Sequence, residues 1–372
     1  MDKMTPPERF QAVLMGEKPD RVPVVPFILG FCTKIVGMPL GDLYADGNKS
    51  FEAQFMSMRL YGYEQTPMYG YASCGPWEFG GKIGFPYGEG HSAPYVIEHP
   101  VNEIGDIDKL EVPDSDKPVG GFVEAQKLCD RCVEMGMPGI FQGGSVFTAA
   151  AVVADTTKFL KWMKTEPKSA HALLDKVSQM FINQIEYFVN RYGADKCVVF
   201  DGGPVEANTV ISPQKFEEFA FPYMMKVHKK IREFDIPVTL MHPCADQNLN
   251  IPYYIKMRES LNWKGIYAWI FGPETPLKTQ IEKFGTHDII GGNVDPPSIQ
   301  TKSYQEVVQL CKENIEQGID NPRGFILCPG CEFPPLAEPI KPMAFIDAAR
   351  QFGVYIYFIF LFIFLTTCDS LV

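Results

Sequence analysis

The chain of 372 residues reads as an α/β protein of the (β/α)8 TIM-barrel class. Eight short apolar, β-rich stretches recur along it, and helix-periodic stretches fall between most of them. The length also suits a barrel with additions, since the fold needs about 250 residues. Strands are predicted at 22–29, 65–69, 139–147, 196–201, 237–242, 265–271, 288–293 and 324–328, with helices at 122–135, 157–192, 213–234, 249–260, 277–284 and 304–317.

Ahead of the first strand, Thr5-Pro6-Pro7-Glu8 has the form of a capping box with proline in the first turn, and opens a helix through Met15. Residues 70–116 are rich in Gly, Pro and aromatics and predict an excursion over one end of the barrel. In 122–135, Cys129 and Cys132 lie in a helical pattern and read as packing residues. Residues 345–352 form a closing helix with Gly353 as its stop. One domain is therefore expected over 1–353. The wholly apolar run from Val354 to Leu365 is shorter than the ~20 residues a membrane span needs. Residues 354–372 are expected to be an appended tail outside the fold, with weak membrane association as the lesser alternative.

Composition narrows the function classes. With 34 Lys+Arg against 45 Asp+Glu the formal charge is −11, and there is no basic cluster, which argues against nucleic acid and anionic membranes as partners. It also disfavours strongly acidic small substrates. Ten Cys in a chain this long do not make a disulfide framework. Asp2, Glu8, Arg9, Glu17 and Lys18 interrupt any signal-peptide core, so a cytoplasmic protein with reduced thiols is expected.

In a barrel of this class the active site lies at the C-terminal ends of the strands. Asp201 ends the fourth predicted strand, His242 and Cys244 the fifth, and Asn293 and Asp295 the seventh, while Cys331 follows the eighth. Residues two apart in an extended segment face the same side, so His242 and Cys244 can grip one ion. With Cys331 they make a three-ligand zinc site that leaves a fourth position open. Cys328 is a rival to Cys331, and buried packing is the bland alternative for all of these thiols. Asp201 is either a substrate contact or a turn residue before Gly202-Gly203, and Asn293 and Asp295 either line the pocket or cap the next helix. His228, His91 and His99 read as structural.

Several segments carry a family resemblance: Thr5-Pro-Pro-Glu-Arg-Phe with Gly16-Glu-Lys-Pro-Asp-Arg-Val-Pro-Val24, Phe200-Asp-Gly-Gly203, Ile211-Ser-Pro-Gln-Lys-Phe-Glu-Glu-Phe219 with Pro222-Tyr223, His242-Pro-Cys244, Gly292-Asn-Val-Asp-Pro296 and Pro329-Gly-Cys-Glu332. The chain resembles the uroporphyrinogen decarboxylase superfamily, and within it the zinc-dependent, corrinoid-linked methyltransferases that include the methylcobalamin:coenzyme M enzymes. The resemblance implies a barrel with an N-terminal helical extension and Zn2+ held by His242, Cys244 and Cys331. It also implies a methyl group moved between a corrinoid (methylcobalamin) on a partner protein and a small thiol or methylated substrate. Asp201 matches the acidic position of the decarboxylase site, and Glu332 adjoins the Cys331 ligand, where it can orient substrate; Asn293 and Asp295 are carried as cofactor-binding positions. No Asp-x-His-x-x-Gly segment occurs, so the corrinoid is expected on another polypeptide.

Two alternatives stay open. A decarboxylase acting on a porphyrinogen-like acid is the runner-up, but segment 27–32 lacks the arginines that such a polyanion needs, and Lys34 is the only basic residue between Arg21 and Lys49. A purely structural zinc, with Cys328 as fourth ligand, is the other. The sixth predicted strand carries no acid, and Glu274 is the nearest carboxylate to it.

Overall fold

A computed structural model describes residues 2–88 and 92–355. Its main sheet is parallel and carries seven strands: β1 (Met68–Tyr69), β4 (Gly139–Gln142), β5 (Cys197–Gly202), β6 (Val238–His242), β7 (Ile266–Trp269), β8 (Ile289–Gly291) and β9 (Phe325–Ile326), in that order. β2 (Lys82–Gly84) and β3 (Tyr95–Glu98) form a separate antiparallel hairpin in the predicted excursion.

The eighth barrel segment is the predicted first strand, and it is irregular. Val24 bridges Leu327 in parallel, with Leu327 N–H donating to Pro23 O at 2.8 Å and Val25 N–H to Leu327 O at 2.9 Å. Pro23 and Pro26 have no N–H to give, so a regular ladder cannot run through 22–29. Side chains complete the opposite seam. The Gln65 amide accepts from Ile28 N–H at 2.8 Å and donates to Ile28 O at 2.9 Å, standing in for a neighbouring strand's peptide. The result is a closed (β/α)8 barrel.

Alternation along the strands separates two cores. Val198 and Phe200 on β5, and Val238 and Leu240 on β6, point into the barrel with Phe27, Leu29, Met68 and Ile140. Cys197, Val199, Met241 and Trp269 face the surrounding helices. His242 has the parity of Val238 and Leu240, so its ring enters the barrel. Helix Pro6–Met15 closes the N-terminal end: Thr5 and Glu8 form the predicted capping box, Val13 and Leu14 pack on the barrel interior, and Arg323 donates to Val13 O and Leu14 O at 2.9 and 2.6 Å.

Other boundaries shift for local reasons. The strand predicted at 139–147 stops at Gln142, and Val146–Val153 is helical, because Gly143-Gly144 and a left-handed Ser145 (φ 65°) turn the chain. Pro167 divides the predicted 157–192 helix into Thr156–Thr165 and Pro167–Tyr192, forcing Glu166 out of the helical region. A π turn, Phe216–Ala220, interrupts 213–234 just before Pro222, whose missing N–H breaks the helical ladder. The closing helix is Lys341–Phe352. Beyond it, Val354 pairs with Arg21 and Tyr355 is buried, so the fold runs two residues past the expected boundary at 353. His91 and 356–372, the rest of the expected tail, lie outside the described residues. Among those described, no helix is long and apolar enough to cross a membrane.

Candidate metal centre

β6 ends on His242, and Pro243 carries the chain straight into Cys244. Cys331 arrives from the other side of the barrel, in the turn after β9. There Pro329 bridges Val294, and Gly330 N–H donates to Val294 O at 3.0 Å. Gly330 is needed for close approach: a Cβ would stand 2.8 Å from the Pro273 ring.

His242, Cys244 and Cys331 bring their ligand atoms within 4.8 Å of one another, and no other group of His, Cys, Asp or Glu among the described residues does so. The two sulfurs are 3.8 Å apart. Two thiolates on a tetrahedral ion with Zn–S bonds of about 2.3 Å would be separated by about 3.8 Å, so the pair is already at ligand spacing. The hydrogen bond between the thiols draws Cys331 toward thiolate and pushes Cys244 up.

The imidazole is set for the same task. His242 Nδ1 lies 2.8 Å from Ile270 O, which can only accept, so Nδ1 carries the proton and Nε2 keeps its lone pair. Nε2 is buried with no oxygen or nitrogen partner and faces the Cys331 sulfur. Phe27 meets the ring edge-on at 5.5 Å between centroids and Phe200 lies at 6.2 Å, fixing its plane inside the apolar barrel. A buried lone pair without a donor is costly unless something else fills it. The three residues fit a zinc ion.

Cys328 does not join them. Its Sγ donates to Gly292 O at 3.1 Å inside the buried strand end, and burial pushes the thiol up. Glu274 is exposed and lies outside the ligand group.

The profile of the family described as Uroporphyrinogen decarboxylase (URO-D) matches residues 5–352. The chain belongs to the uroporphyrinogen decarboxylase family. Among curated relatives, the uroporphyrinogen decarboxylase of Colwellia psychrerythraea is 31% identical over 170 residues, covering 42% of this chain and 44% of that protein. The one from Geotalea daltonii is 28% identical over 151 residues, 38% of this chain and 42% of its own. The chain thus spans less than half the length of either decarboxylase. The methylcobamide:CoM methyltransferase MtbA of Methanosarcina acetivorans is 23% identical over 357 residues, 95% of this chain and 99% of that one. A solved methyltransferase structure from Methanosarcina mazei matches with TM-score 0.74 and 21% identity, covering 94% and 99% of the two chains, and shares the fold.

Within this family member the remaining predicted residues sit on the same rim with definite contacts. Asp201 is buried on β5; one oxygen accepts Ser145 N–H at 2.5 Å and the other faces His228 Nε2 at 2.9 Å. It therefore holds the strained Ser145 turn in place. Glu332 accepts Gly30 N–H at 2.9 Å, tying the Cys331 turn to the end of the first barrel segment. Asn293 Nδ2 donates to Thr275 O at 2.8 Å and its backbone N–H donates to Asn314 Oδ1 at 2.8 Å, while Asp295 accepts Ser298 N–H at 2.9 Å and caps helix Pro296–Thr301. Of the two readings the sequence left for Asp295, its contact is the cap.

Glu206 escaped the sequence, and His228, read as structural, makes a contact that the sequence did not show. His228 is structural in that it is wholly buried, yet it links Asp201 to the Tyr267 hydroxyl, 3.0 Å from Nδ1. Its signal was a polar ring among Met224, Val227 and Ile231 on the buried helix face. Glu206, just after β5, is buried with the Thr148 hydroxyl donating at 2.6 Å; burial, opposed by that bond, pushes its carboxyl up to about 7.

Proposed function

We propose that this chain is a zinc-dependent methyltransferase that moves a methyl group between a corrinoid carried by a separate protein and a small thiol or methylated substrate. The observation that carries the reading is the convergence of the His242, Cys244 and Cys331 ligand atoms within 4.8 Å of one another, with the two sulfurs at tetrahedral spacing. The methyltransferase relative aligned over almost its whole length supports it.

Zinc in this site would hold a substrate thiol as a thiolate that stays nucleophilic near neutral pH, where a free thiol with pKa about 8.5 is mostly protonated. The chain's own residues prepare that chemistry. Ile270 O keeps the His242 proton on Nδ1, Phe27 and Phe200 keep water from the ring, and the turn at Gly330 brings in Cys331. Zinc held by His242, Cys244 and Cys331 would activate the substrate sulfur, and the corrinoid of the partner protein would supply or accept the methyl group. The protein is expected to act in the cytoplasm.

The decarboxylase reading rests on the family match and the partial decarboxylase alignments. Against it, the one cation near the expected tetrapyrrole segment, Lys34, donates to Ala337 O at 3.1 Å.

The test incubates the purified, zinc-loaded protein with methylcobalamin and a panel of thiols and follows the corrinoid spectrum. Conversion of the methylcobalamin spectrum, lost in Cys244→Ser and Cys331→Ser, is the expected result. Protein without stoichiometric zinc, or serine variants with parental rates, would sink the proposal.

A further inference from the structure

The loop that presents Cys244 is held from behind by a side chain outside the ligand set. It contains Ala245 at φ 59°, a left-handed conformation that a residue with a Cβ adopts only where its surroundings enforce it. Three of its carbonyls are held. Pro243 O accepts Gly272 N–H at 3.2 Å and Asp246 O accepts Asn208 N–H at 2.7 Å. The Cys244 carbonyl is held by a side chain, Gln247, whose Nε2 donates at 3.1 Å.

Gln247 is fully buried, and its other end is fixed. Its Oε1 accepts from Asn250 Nδ2 at 2.7 Å and from the Tyr254 hydroxyl at 3.1 Å. Asn250 Nδ2 also reaches Glu206 O at 3.1 Å, on the segment after β5. With two donors pointed at Oε1, the amide can present only its NH2 to the Cys244 carbonyl. The network joins helix Ile251–Leu261, the end of β5 and the peptide of one ligand.

We propose that Gln247 is a positioning residue of the metal centre: it fixes the Cys244 peptide and so the direction of Sγ, with Tyr254 and Asn250 locking its amide. The inference rests on the zinc reading above. Residues behind metal ligands typically change affinity by about 10–100-fold when removed, because a ligand free to swing must be ordered at the moment of binding.

The experiment measures zinc affinity by competition with a chromophoric chelator for the parent, Gln247→Met and Tyr254→Phe, and records Co(II)-substituted spectra. Gln247→Met keeps the volume and removes both hydrogen-bonding functions. It is expected to bind zinc about 10–100-fold more weakly and to alter the thiolate-to-cobalt band. Tyr254→Phe leaves the Gln247–Cys244 bond in place and is expected to weaken zinc by less than about 10-fold. Parental affinity in Gln247→Met overturns the inference, including the case where only the thermal midpoint of the metal-free protein falls. Should Gln247→Met not fold, Tyr254→Phe decides: weaker zinc supports the inference and parental affinity overturns it. A parent that binds no zinc overturns the metal centre itself, and unmoved variants of a zinc-binding parent overturn only the role of Gln247.

Discussion

At the N-terminal end of the barrel, buried Glu64 accepts from Arg9 at 2.5 Å, Arg21 at 3.1 Å and the backbone N–H of Val24 at 2.6 Å. At the C-terminal end His242 is also buried, yet its Nε2 faces only the sulfur of Cys331. Arg9 and Arg21 continue the first pattern, donating to Asp20 and Asp2 and closing every side of the cluster with a charge or a peptide. At one end the buried carboxylate of Glu64 meets charged and peptide donors, and at the other three ligand atoms lie within 4.8 Å of one another. A cavity of 1220 Å³ opens at the satisfied end, lined by Phe10, Leu14, Tyr63, Ile236 and Trp263. Cavity size alone would therefore direct attention to the wrong mouth of the barrel, since chemistry in this fold belongs at the strand C-termini.

The largest effect should come from breaking the satisfied end. Arg9→Met leaves Glu64 and Asp20 short of their shared cation in a buried setting, and removing one partner of such a pair costs about 3–5 kcal/mol. Urea unfolding of the metal-free protein should show a loss of that order. A loss below about 1 kcal/mol would mean that the cluster behaves like a surface ion pair and that the two ends differ less than their contacts imply.

The second test concerns a carboxyl on the rim. Glu206 has its folded pKa raised from 4.5 to about 7, mainly by burial. A raised folded pKa means that the folded state binds the proton more tightly than the unfolded chain. The group therefore does not penalise folding below about pH 4.5; a penalty grows as pH rises toward 7 and is constant above it. By 1.36 kcal/mol per pKa unit the penalty is about 3 kcal/mol. Glu206→Gln keeps an acceptor for the Thr148 hydroxyl and removes the titration. Stability measured from pH 5 to pH 8 should fall by about 2–3 kcal/mol less in the variant than in the parent. Parallel pH profiles would show that Glu206 is hydrated and does not belong among the strained groups of the rim.

Such contrasts mark what could be read from the sequence. His242 could be aimed inward because Val238, Leu240 and His242 alternate on one strand, and that arithmetic needs no tertiary knowledge. Choosing Cys331 over Cys328 needed the family turn, because β9 ends at Ile326 and a turn, not strand parity, places the thiol. The prolines at 23 and 26 were visible, but their consequence, a strand replaced by bridges and by the Gln65 amide, depends on a partner 37 residues away. Ser145 turns left-handed because Asp201, 56 residues on, accepts its N–H, so the end of the 139–142 strand could not be found locally. His228, Glu206 and Gln247 share one property: their roles lie in contacts between helices and strand ends, which carry no periodic signal.

Cys328 sharpens the comparison at finer scale, since it lies three residues from a ligand and behaves like the satisfied end. Cys328→Ala removes a small buried side chain and the bond to Gly292 O, and should cost about 1–2 kcal/mol. Zinc content by metal analysis should stay at the parental value. A variant that loses zinc would place Cys328 in the coordination shell and revive a closed, structural site.

The smallest effect is expected at Asp295, which the sequence left as either a pocket residue or a helix cap and whose contact is the cap. Its carboxylate accepts Ser298 N–H at 2.9 Å at the start of Pro296–Thr301, a helix of 6 residues whose first N–H, after two prolines, is that of Ser298. Losing such a cap costs about 1 kcal/mol, because the orphaned donor must turn to water. Asp295→Ala should therefore lower unfolding stability by about 1 kcal/mol, read from the urea midpoint at constant m-value. A cofactor contact would register differently, as a raised half-saturation concentration for the corrinoid with stability unchanged. That outcome would move Asp295 from the supporting framework into the reacting face of the rim, and with it the line between the two kinds of buried polarity.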